Sequence, residues 1–355
     1  MRRLLTVVGA RPQFIKAAVV SRAFRERGGI EEVMVHTGQH FDANMSATFF
    51  DELSIPEPQY NLGVGGGTHA QNTGRMMEGL ERIIGERSPE LVVVFGDTDS
   101  TLAGALSAAK LCVPVAHVEA GLRSFNRRMP EEVNRVLTDH VAELLFVPSG
   151  QALANLAREG VAGDCVKMVG DVMYDAVLAF TEIAQRRVDP LGRYRLQPGA
   201  YALATLHRKE NTDDPGRLRP ILEGLARSPY EVVLPLHPRT RRRLAEFGIE
   251  PGGAVRIIDP VGYLEMLLLE RHARLIATDS GGVQKEAYFH GVPCVTLRDE
   301  TEWVELVQLG VNVLVGTDAN AIAEAMHGRP IQATSGEIYG DGTAATRIAA
   351  IVAEY

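Results

Sequence analysis

Cysteine is scarce in this sequence of 355 residues: only Cys112, Cys165 and Cys294 occur. No two of them stand at the short spacing of a metal-binding pair, and a disulfide-poor chain of this length fits a reducing cytoplasm. Cys112 and Cys294 lie in the strand-like runs LCVPV and VPCVTL, which predicts both as buried small hydrophobes. Positive charge is also in deficit. With 37 Lys+Arg against 45 Asp+Glu the formal net charge is -8, which excludes a general nucleic-acid binder, whose footprint is basic. Local basic pockets for an anionic small molecule remain possible. No apolar run approaches the about 18 residues of a membrane-crossing helix. The opening MRRLLTVVGARP is too short in its apolar part for a secretory signal and has no small-residue cleavage site. It predicts a first strand instead. GxxxxGK[ST], HExxH and GxSxG are all missing, which removes the common NTPase, zinc-protease and hydrolase readings.

What is present is the balance of a soluble globular protein, 45% hydrophobic and 23% charged, long enough for two domains. Short β-rich runs alternate with helical patterns: LLTVVG, then QFIKAAVVSRAFRER, then EEVMVHTG; later ELVVVFGD, TLAGALSAAK, VPVAHVEA, EEVNRVLTDHVA and LLFVPS. Continuous apolar strands separated by helices indicate parallel sheets covered on both faces. Between about residues 175 and 200 the pattern is interrupted by prolines, glycines and scattered arginines, which predicts a link between domains. The rhythm restarts with YALATLH, VVLPLHP, VRIIDP, RLIATDS, VPCVTL and VNVLVG. The two halves echo each other, each with a strand ending in an acidic or hydroxyl turn, a short helix and a Val-Pro strand. The expected class is α/β, with two similar layered domains. Since ligands bind at the carboxyl ends of parallel strands, the expected site lies in the cleft that two such domains would form.

The polar residues that interrupt this pattern stand at strand ends. DSGGVQKE follows ARLIAT and opens a helix; Gly281 and Gly282 would let backbone amides approach a phosphate, with Ser280 beside them and Glu286 one turn on, in reach of ribose hydroxyls. A plain tight turn and a solvated glutamate are the alternatives. GARPQFIK brings Arg11 and Lys16 to another strand end, suited to an anion, though surface charge flanking a turn fits that stretch equally. GGGTHA is better read as a flexible glycine-rich loop than as a dinucleotide fingerprint. Asp97 in FGDTDS and Glu119 in HVEAGLR end successive strands, and Glu131 with Glu132 follows in MPEEVNR. Helix capping would explain Asp97, and helix-start charge the two glutamates. Glu119 is harder to explain structurally, because a carboxylate ending a buried strand is costly without a partner. Paired carboxylates are a standard source of acid/base chemistry. His207 in ATLHRKEN and His237 in LPLHPR end strands of the second half, where a structural role is the simpler reading for each alone.

Taken together, GARPQFIK, TGQH (37–40), GDTDST (96–101), HVEAGLR (117–123), PEEVNR (130–135), HRKEN (207–211), HP (237–238), DSGGVQKE (279–286) and GVP (291–293) resemble the non-hydrolysing UDP-N-acetylglucosamine 2-epimerases. The resemblance runs from residue 1 to YGDGTAATRI near the C-terminus. It implies a glycosyltransferase-B-like fold of two Rossmann-like domains: residues 1–170 with the catalytic carboxylates, residues 171–340 with the UDP site, and a helix within 341–355 crossing back onto the first domain. It implies elimination of UDP across carbons 1 and 2 to a glycal, then re-addition after reprotonation on the other face. It implies Asp97, Glu119, Glu131 and His207 as catalytic groups. Arg11, Lys16, Gln39, His40, Arg135, His237, Ser280, Gly281, Gly282 and Glu286 would be substrate- or UDP-binding, with Arg135 orienting or tuning the carboxylates. No metal or nicotinamide is required. The expected partner is a UDP-sugar, not nucleic acid or membrane, and the family suggests a cytoplasmic homodimer.

Two stretches depart from members acting on UDP-N-acetylglucosamine. Those carry GTRPE and TERPE, where this chain has GARPQ (Gln13) and TEWVE (Thr301 to Glu305). GGGTHAQNTGRM also differs from the segment that binds a second, activating substrate in some bacterial members. GARPQFIK, FDANMS, YNLGVGGGTH and TEWVEL look more like the branch acting on UDP-2,3-diacetamido-2,3-dideoxy-glucuronate, whose products enter bacterial O-antigen. The extra carboxylate of that sugar would need a cation, with Arg123, Arg127 and Arg128 as candidates, unless they only form a solvated loop face. The alternatives are a UDP-sugar-dependent glycosyltransferase of the same fold, a hydrolysing epimerase that releases UDP, and a non-catalytic nucleotide-sugar sensor.

Overall fold

The computed structural model describes residues 1–39, 53, 55, 57–328 and 338–355. The chain divides into two compact units, Met1–Ala179 with Glu337–Tyr355, and Phe180–Gly336. In the first, β1 (Arg2–Val8), β2 (Ile30–His36), β3 (Tyr60–Asn61), β4 (Leu91–Phe95), β5 (Val115–Val118), β6 (Leu144–Val147) and β7 (Val166–Met168) form one sheet in the order β3-β2-β1-β4-β5-β6-β7. Neighbouring strands pair in parallel. In the second, β8 (Tyr201–Thr205), β9 (Glu231–Pro235), β10 (Val255–Ile258), β11 (Leu275–Thr278), β12 (Cys294–Thr296) and β13 (Asn312–Leu314) follow the order β10-β9-β8-β11-β12-β13, also parallel.

The reason is visible residue by residue. β4 reads LVVVF and is buried along its whole length, because helices cover both faces of the sheet and no position along the strand meets water. β5, β6, β8 and β11 are likewise buried throughout. In each unit the strand order reverses once, between β1 and β4 and between β8 and β11. At such a point the connections leave toward opposite faces and open a crevice at the strands' carboxyl ends. Arg11 and Asp97 follow the first pair of strands; His207 and Asp279 follow the second.

Three expectations change. The stretch expected as a link is largely helical: Val172–Arg187 forms one helix and Pro190–Tyr194 a short second one. Ala176, Val177, Phe180 and Ala184 are buried, a spacing that gives the longer helix one apolar face. The boundary between units falls inside that helix. Cys294 is buried but Cys112 is exposed. Cys112 sits at φ 56 in the turn after helix Asp99–Lys110, and the strand its neighbours announce begins only at Val115. The glycine-rich loop ends at Thr68, whose hydroxyl caps a long helix, His69–Arg87, in a capping box with Gln71.

The terminal helix Ala344–Glu354 packs on helix Arg11–Arg27 within the first unit. Its first amides, Ala344 and Ala345, donate to the buried Asp175 carboxylate at 3.2 and 2.9 Å. Burial pushes that carboxyl up from 3.8 to about 6, against the two backbone donors that favour its charged form. The folded chain therefore holds this proton more tightly than the unfolded chain does. The group's contribution to stability is fullest below the unfolded value and is lost as pH rises through about 6. Asp175→Asn should flatten that limb of the stability profile. Asp175→Ala, which strips both amides of their acceptor, should cost about 1–3 kcal/mol. Urea unfolding across the acidic range checks both.

Candidate active site

In the first unit the chain leaves β4 through Gly96 and leaves β5 through Glu119. Gly96 takes φ 63, and a Cβ there would stand 3.3 Å from Glu119 Oε2 and 3.5 Å from Lys16 Nζ. Glycine thus answers both a left-handed turn and a close approach. Glu119 itself is at φ 75, a region where a non-glycine residue stores strain and which clusters at functional sites. Its side chain is buried, and Lys16 from the first helix pairs with it directly. Lys16, expected at a nucleotide, is thereby placed on a carboxylate. Asp97, half-buried, is gripped by Arg135 Nη2, while Arg135 Nη1 donates to Glu132 at 2.9 Å. Arg135, expected to orient or tune the carboxylates, thus touches both Asp97 and Glu132.

The neighbouring glutamates part company. Glu132 is buried and accepts from the Ser124 and Phe125 amides, both at 2.8 Å, so it shapes the loop. Glu131 is exposed at the start of helix Pro130–Val141. Helix capping after β4 falls to Thr98 and not to Asp97, which leaves the Asp97 carboxylate to Arg135. Gln39 Oε1 accepts from the Ser100 amide and hydroxyl at 3.0 and 2.6 Å. Arg11 is half-buried at the first turn of its helix. His40 lies outside the described residues.

Gln13 explains one departure. Its Oε1 accepts from the Gly9 and Ala10 amides at 2.8 and 3.0 Å, and its Nε2 donates to the Phe95 carbonyl and Thr101 Oγ1, both at 2.9 Å. It ties the turn after β1 to the turn carrying Asp97. A glutamate could accept the first pair but, ionised, has no proton for the second. Asn134 adds another tie, donating to the Asp97 carbonyl at 3.0 Å and to Asp99 Oδ1 at 3.2 Å, while His69 meets Asp99 Oδ2 at 2.8 Å.

In the second unit His207 follows β8 and its ring is more than half exposed, with Nδ1 3.1 Å from Asp279 Oδ1. Asp279, fully buried after β11, also accepts from the His207 and Arg208 amides, each at 3.1 Å, and from Asn211 Nδ2 at 3.2 Å. Burial would raise its carboxyl, but these donors and the His207 ring outweigh it and hold it below the ordinary range. A buried carboxylate behind an exposed imidazole fixes the ring's orientation and tautomer. The sequence signal for Asp279 is its position at a buried strand end, the same signal that marks Glu119.

Ser280 caps helix Gly281–Phe289, its hydroxyl accepting from Val283 N at 3.4 Å. A Cβ on Gly281 would overlap the Glu302 carboxylate and stand 3.4 Å from Trp303 Nε1. The TEWVE stretch therefore lies against the start of this helix, and Trp303 covers the Lys285 ammonium at 4.1 Å. Glu286 is buried on the same helix. Burial pushes the nearby Glu270 carboxyl well above its ordinary range, and the charge of Glu286 adds to the shift. His237 is exposed and caps helix Pro238–Glu246, its Nδ1 accepting from Arg239 N at 3.2 Å. Each unit thus carries one polar cluster at its own switch point. Among the described residues no group of His, Cys, Asp and Glu has the arrangement of a metal site, and no helix is long and apolar enough to cross a membrane.

Comparison with known proteins gives the chain's family. A profile of the UDP-N-acetylglucosamine 2-epimerase family matches residues 22–353. The UDP-2,3-diacetamido-2,3-dideoxy-D-glucuronate 2-epimerase of Pseudomonas aeruginosa is 54% identical over 360 residues, covering 99% of each chain. The crystal structure of Methanocaldococcus jannaschii UDP-GlcNAc 2-epimerase in complex with UDP-GlcNAc and UDP superposes with a TM-score of 0.90 at 42% identity, covering 99% of this chain and all of that one. That of the Neisseria meningitidis enzyme bound to UDP-GlcNAc gives 0.88 at 28% identity, with 99% of this chain and all of that one covered. The two Rossmann-like α/β units expected from the sequence are the fold of these relatives. The chain belongs to the UDP-N-acetylglucosamine 2-epimerase family.

Proposed function

We propose that this protein is a non-hydrolysing UDP-sugar 2-epimerase, that its substrate is UDP-2,3-diacetamido-2,3-dideoxy-glucuronate, and that the product is the manno epimer. The substrate rests on the end-to-end 54% identity to the Pseudomonas enzyme of that name. The chemistry rests on one observation: two carboxylates at successive strand ends, Glu119 and Asp97, each gripped by its own cation.

The proton on carbon 2 of an N-acetylated sugar has no neighbouring carbonyl to acidify it. Elimination circumvents this. One carboxylate takes the carbon-2 proton as the bond from carbon 1 to the UDP oxygen breaks, leaving a glycal and UDP. A second group delivers a proton to the opposite face of carbon 2, and UDP adds back to carbon 1. Asp97 and Glu119, with the exposed Glu131, are the proton-handling groups in this reading. Lys16 and Arg135 hold two of them in place, and His207 acts with Asp279 behind it. Gly281 and Gly282 present backbone donors, and Ser280 its hydroxyl, to the departing diphosphate at a helix N-terminus, and Glu286 takes the ribose.

Proton NMR in heavy water tests the reading. Deuterium at carbon 2 and the manno epimer should appear with the diacetamido-glucuronate nucleotide and not with UDP-N-acetylglucosamine. No exchange with either, despite UDP binding, overturns the epimerase assignment. Asp97→Asn and Glu119→Gln should each lower turnover by about 10²–10⁴-fold while leaving UDP affinity in calorimetry nearly unchanged. Arg123 does not serve the sugar carboxylate. It is buried, bidentate to Glu159 at 2.7 Å and bound to Asp139 at 2.6 Å, whereas Arg127 and Arg128 are exposed. Arg123→Gln should therefore cost about 3–5 kcal/mol of stability by leaving the buried Asp139 and its partner Glu159 short of their shared cation; a change of sugar preference in a stably folded variant would contradict this.

A further inference from the structure

Behind the carboxylates of the first unit lies a second polar group that the reaction does not touch. His117, on β5, is wholly buried. Its Nδ1 is 2.7 Å from Asp139 Oδ1 on helix Pro130–Val141, and its Nε2 is 2.7 Å from the carbonyl of Gly96. A backbone carbonyl can only accept, so Nε2 carries a proton. Asp139 is itself surrounded by donors: its Oδ2 accepts from Arg123 Nη1 at 2.6 Å and from the Gly121 amide at 3.1 Å. Burial would push the Asp139 carboxyl up, but the His117 and Arg123 contacts hold it below the ordinary carboxylate range. With Oδ2 held by the Arg123 guanidinium and the Gly121 amide, Asp139 is the anion of a buried pair and has no proton to give, so Nδ1 carries one too. The surrounding charges balance: Arg123 and the ring are the cations, Asp139 and Glu159 the anions, and His140, outside, stands 3.2 Å from Glu159.

We propose that His117 is a buried, doubly protonated imidazolium that acts as the positioning residue for the reaction, tying the Gly96–Asp97 turn to Asp139 and, through the Gly121 amide, to the far side of the Glu119 turn. One partner, the Gly96 carbonyl, belongs to the turn that presents Asp97, and the other, Asp139, receives the amide of Gly121 beyond the Glu119 turn. One N–H fixes the peptide immediately before Asp97. The other fixes the carboxylate that receives Gly121, two residues after Glu119. A neutral ring could make only one of the two bonds. The charge is thus required by the geometry, and its loss would free one turn against the other. The proposal rests on the acid/base reading of Asp97 and Glu119, since positioning matters only if they react.

Histidine-labelled protein observed by nitrogen-15 correlation NMR tests the charge directly, and it does so whatever the protein's activity. Both nitrogens of His117 should carry protons in the folded protein. One bare nitrogen in the spectrum overturns the proposal. His117→Gln, which keeps a single donor, and His117→Phe, which keeps none, are then assayed beside Asp97→Asn. Misplacing a reacting group by about 1 Å costs about 100-fold, so kcat should fall on that order in the phenylalanine variant and less in the glutamine one. KM and UDP affinity should be nearly unchanged in both. A kcat near the wild-type value in a folded His117→Phe, with Asp97→Asn inactive, overturns the positioning role while the epimerase reading stands. Undiminished turnover in Asp97→Asn overturns the acid/base reading, and the positioning role with it, while the NMR result still decides the charge. Where neither His117 variant folds, Asp139→Asn replaces them: it should leave a bare His117 nitrogen in the spectrum, and an unchanged doubly protonated ring there counts against the proposal.

Discussion

The first unit is organised around one awkward requirement: a carboxylate held at the end of a buried strand, in a left-handed backbone. Glu119 is poorly hydrated there, and its conformation is one that only glycine adopts without strain. Lys16 supplies the counter-charge, and it can do so only because the first helix begins directly after β1, next to β4 in the sheet. Gly96 leaves the space for that pair, and Gln13 fixes the turn after β1 to the turn after β4. Removing either partner of a buried ion pair strands the other, which costs about 3–5 kcal/mol. Strain and charge at this point are therefore sustained by the whole arrangement of β1, β4 and β5.

The second unit meets a related requirement by a different route. Asp279 is as buried as any residue in the chain, yet no arginine or lysine pairs with it among the described contacts. Two backbone amides, Asn211 and the His207 ring satisfy it instead. Amide donors stabilise a carboxylate without adding mobile charge, and the imidazole in front of them is more than half exposed. Both units place these groups at the reversal of strand order. Only there do neighbouring connections diverge and leave room at the strand ends.

Arginines divide by the same accounting. Arg123 and Arg135 stand on either side of Glu131 and Glu132 in the sequence and look alike. In the structure Arg135 reaches Asp97 and Arg123 turns away to Asp139 and Glu159. The opening of helix Pro130–Val141 serves both: it carries Glu132 and Arg135 toward the turn, and further along it carries Asp139 toward β5.

The sequence by itself determined the class of fold and the chemistry's location along the chain. Unbroken apolar runs such as LVVVF can be satisfied only in parallel strands covered on both faces, and polar residues at their ends can only be at the sheet's carboxyl edge. It marked Glu119 for the same reason, since a buried strand does not end in a carboxylate without a partner. Which partner was left to the tertiary structure. Lys16 lies 103 residues from Glu119 and Gln13 lies 82 from Phe95, and no local pattern relates positions so far apart. Nor could local pattern tell Glu131 from Glu132, or a helix from a link in Val172–Arg187, where prolines and arginines around the segment masked one apolar face. Asp279 and His117 are ordinary residues along the sequence. Their meaning comes from what the folded chain sets against them, because hydrogen bonding and charge pairing act across space while a sequence records only neighbours along the chain.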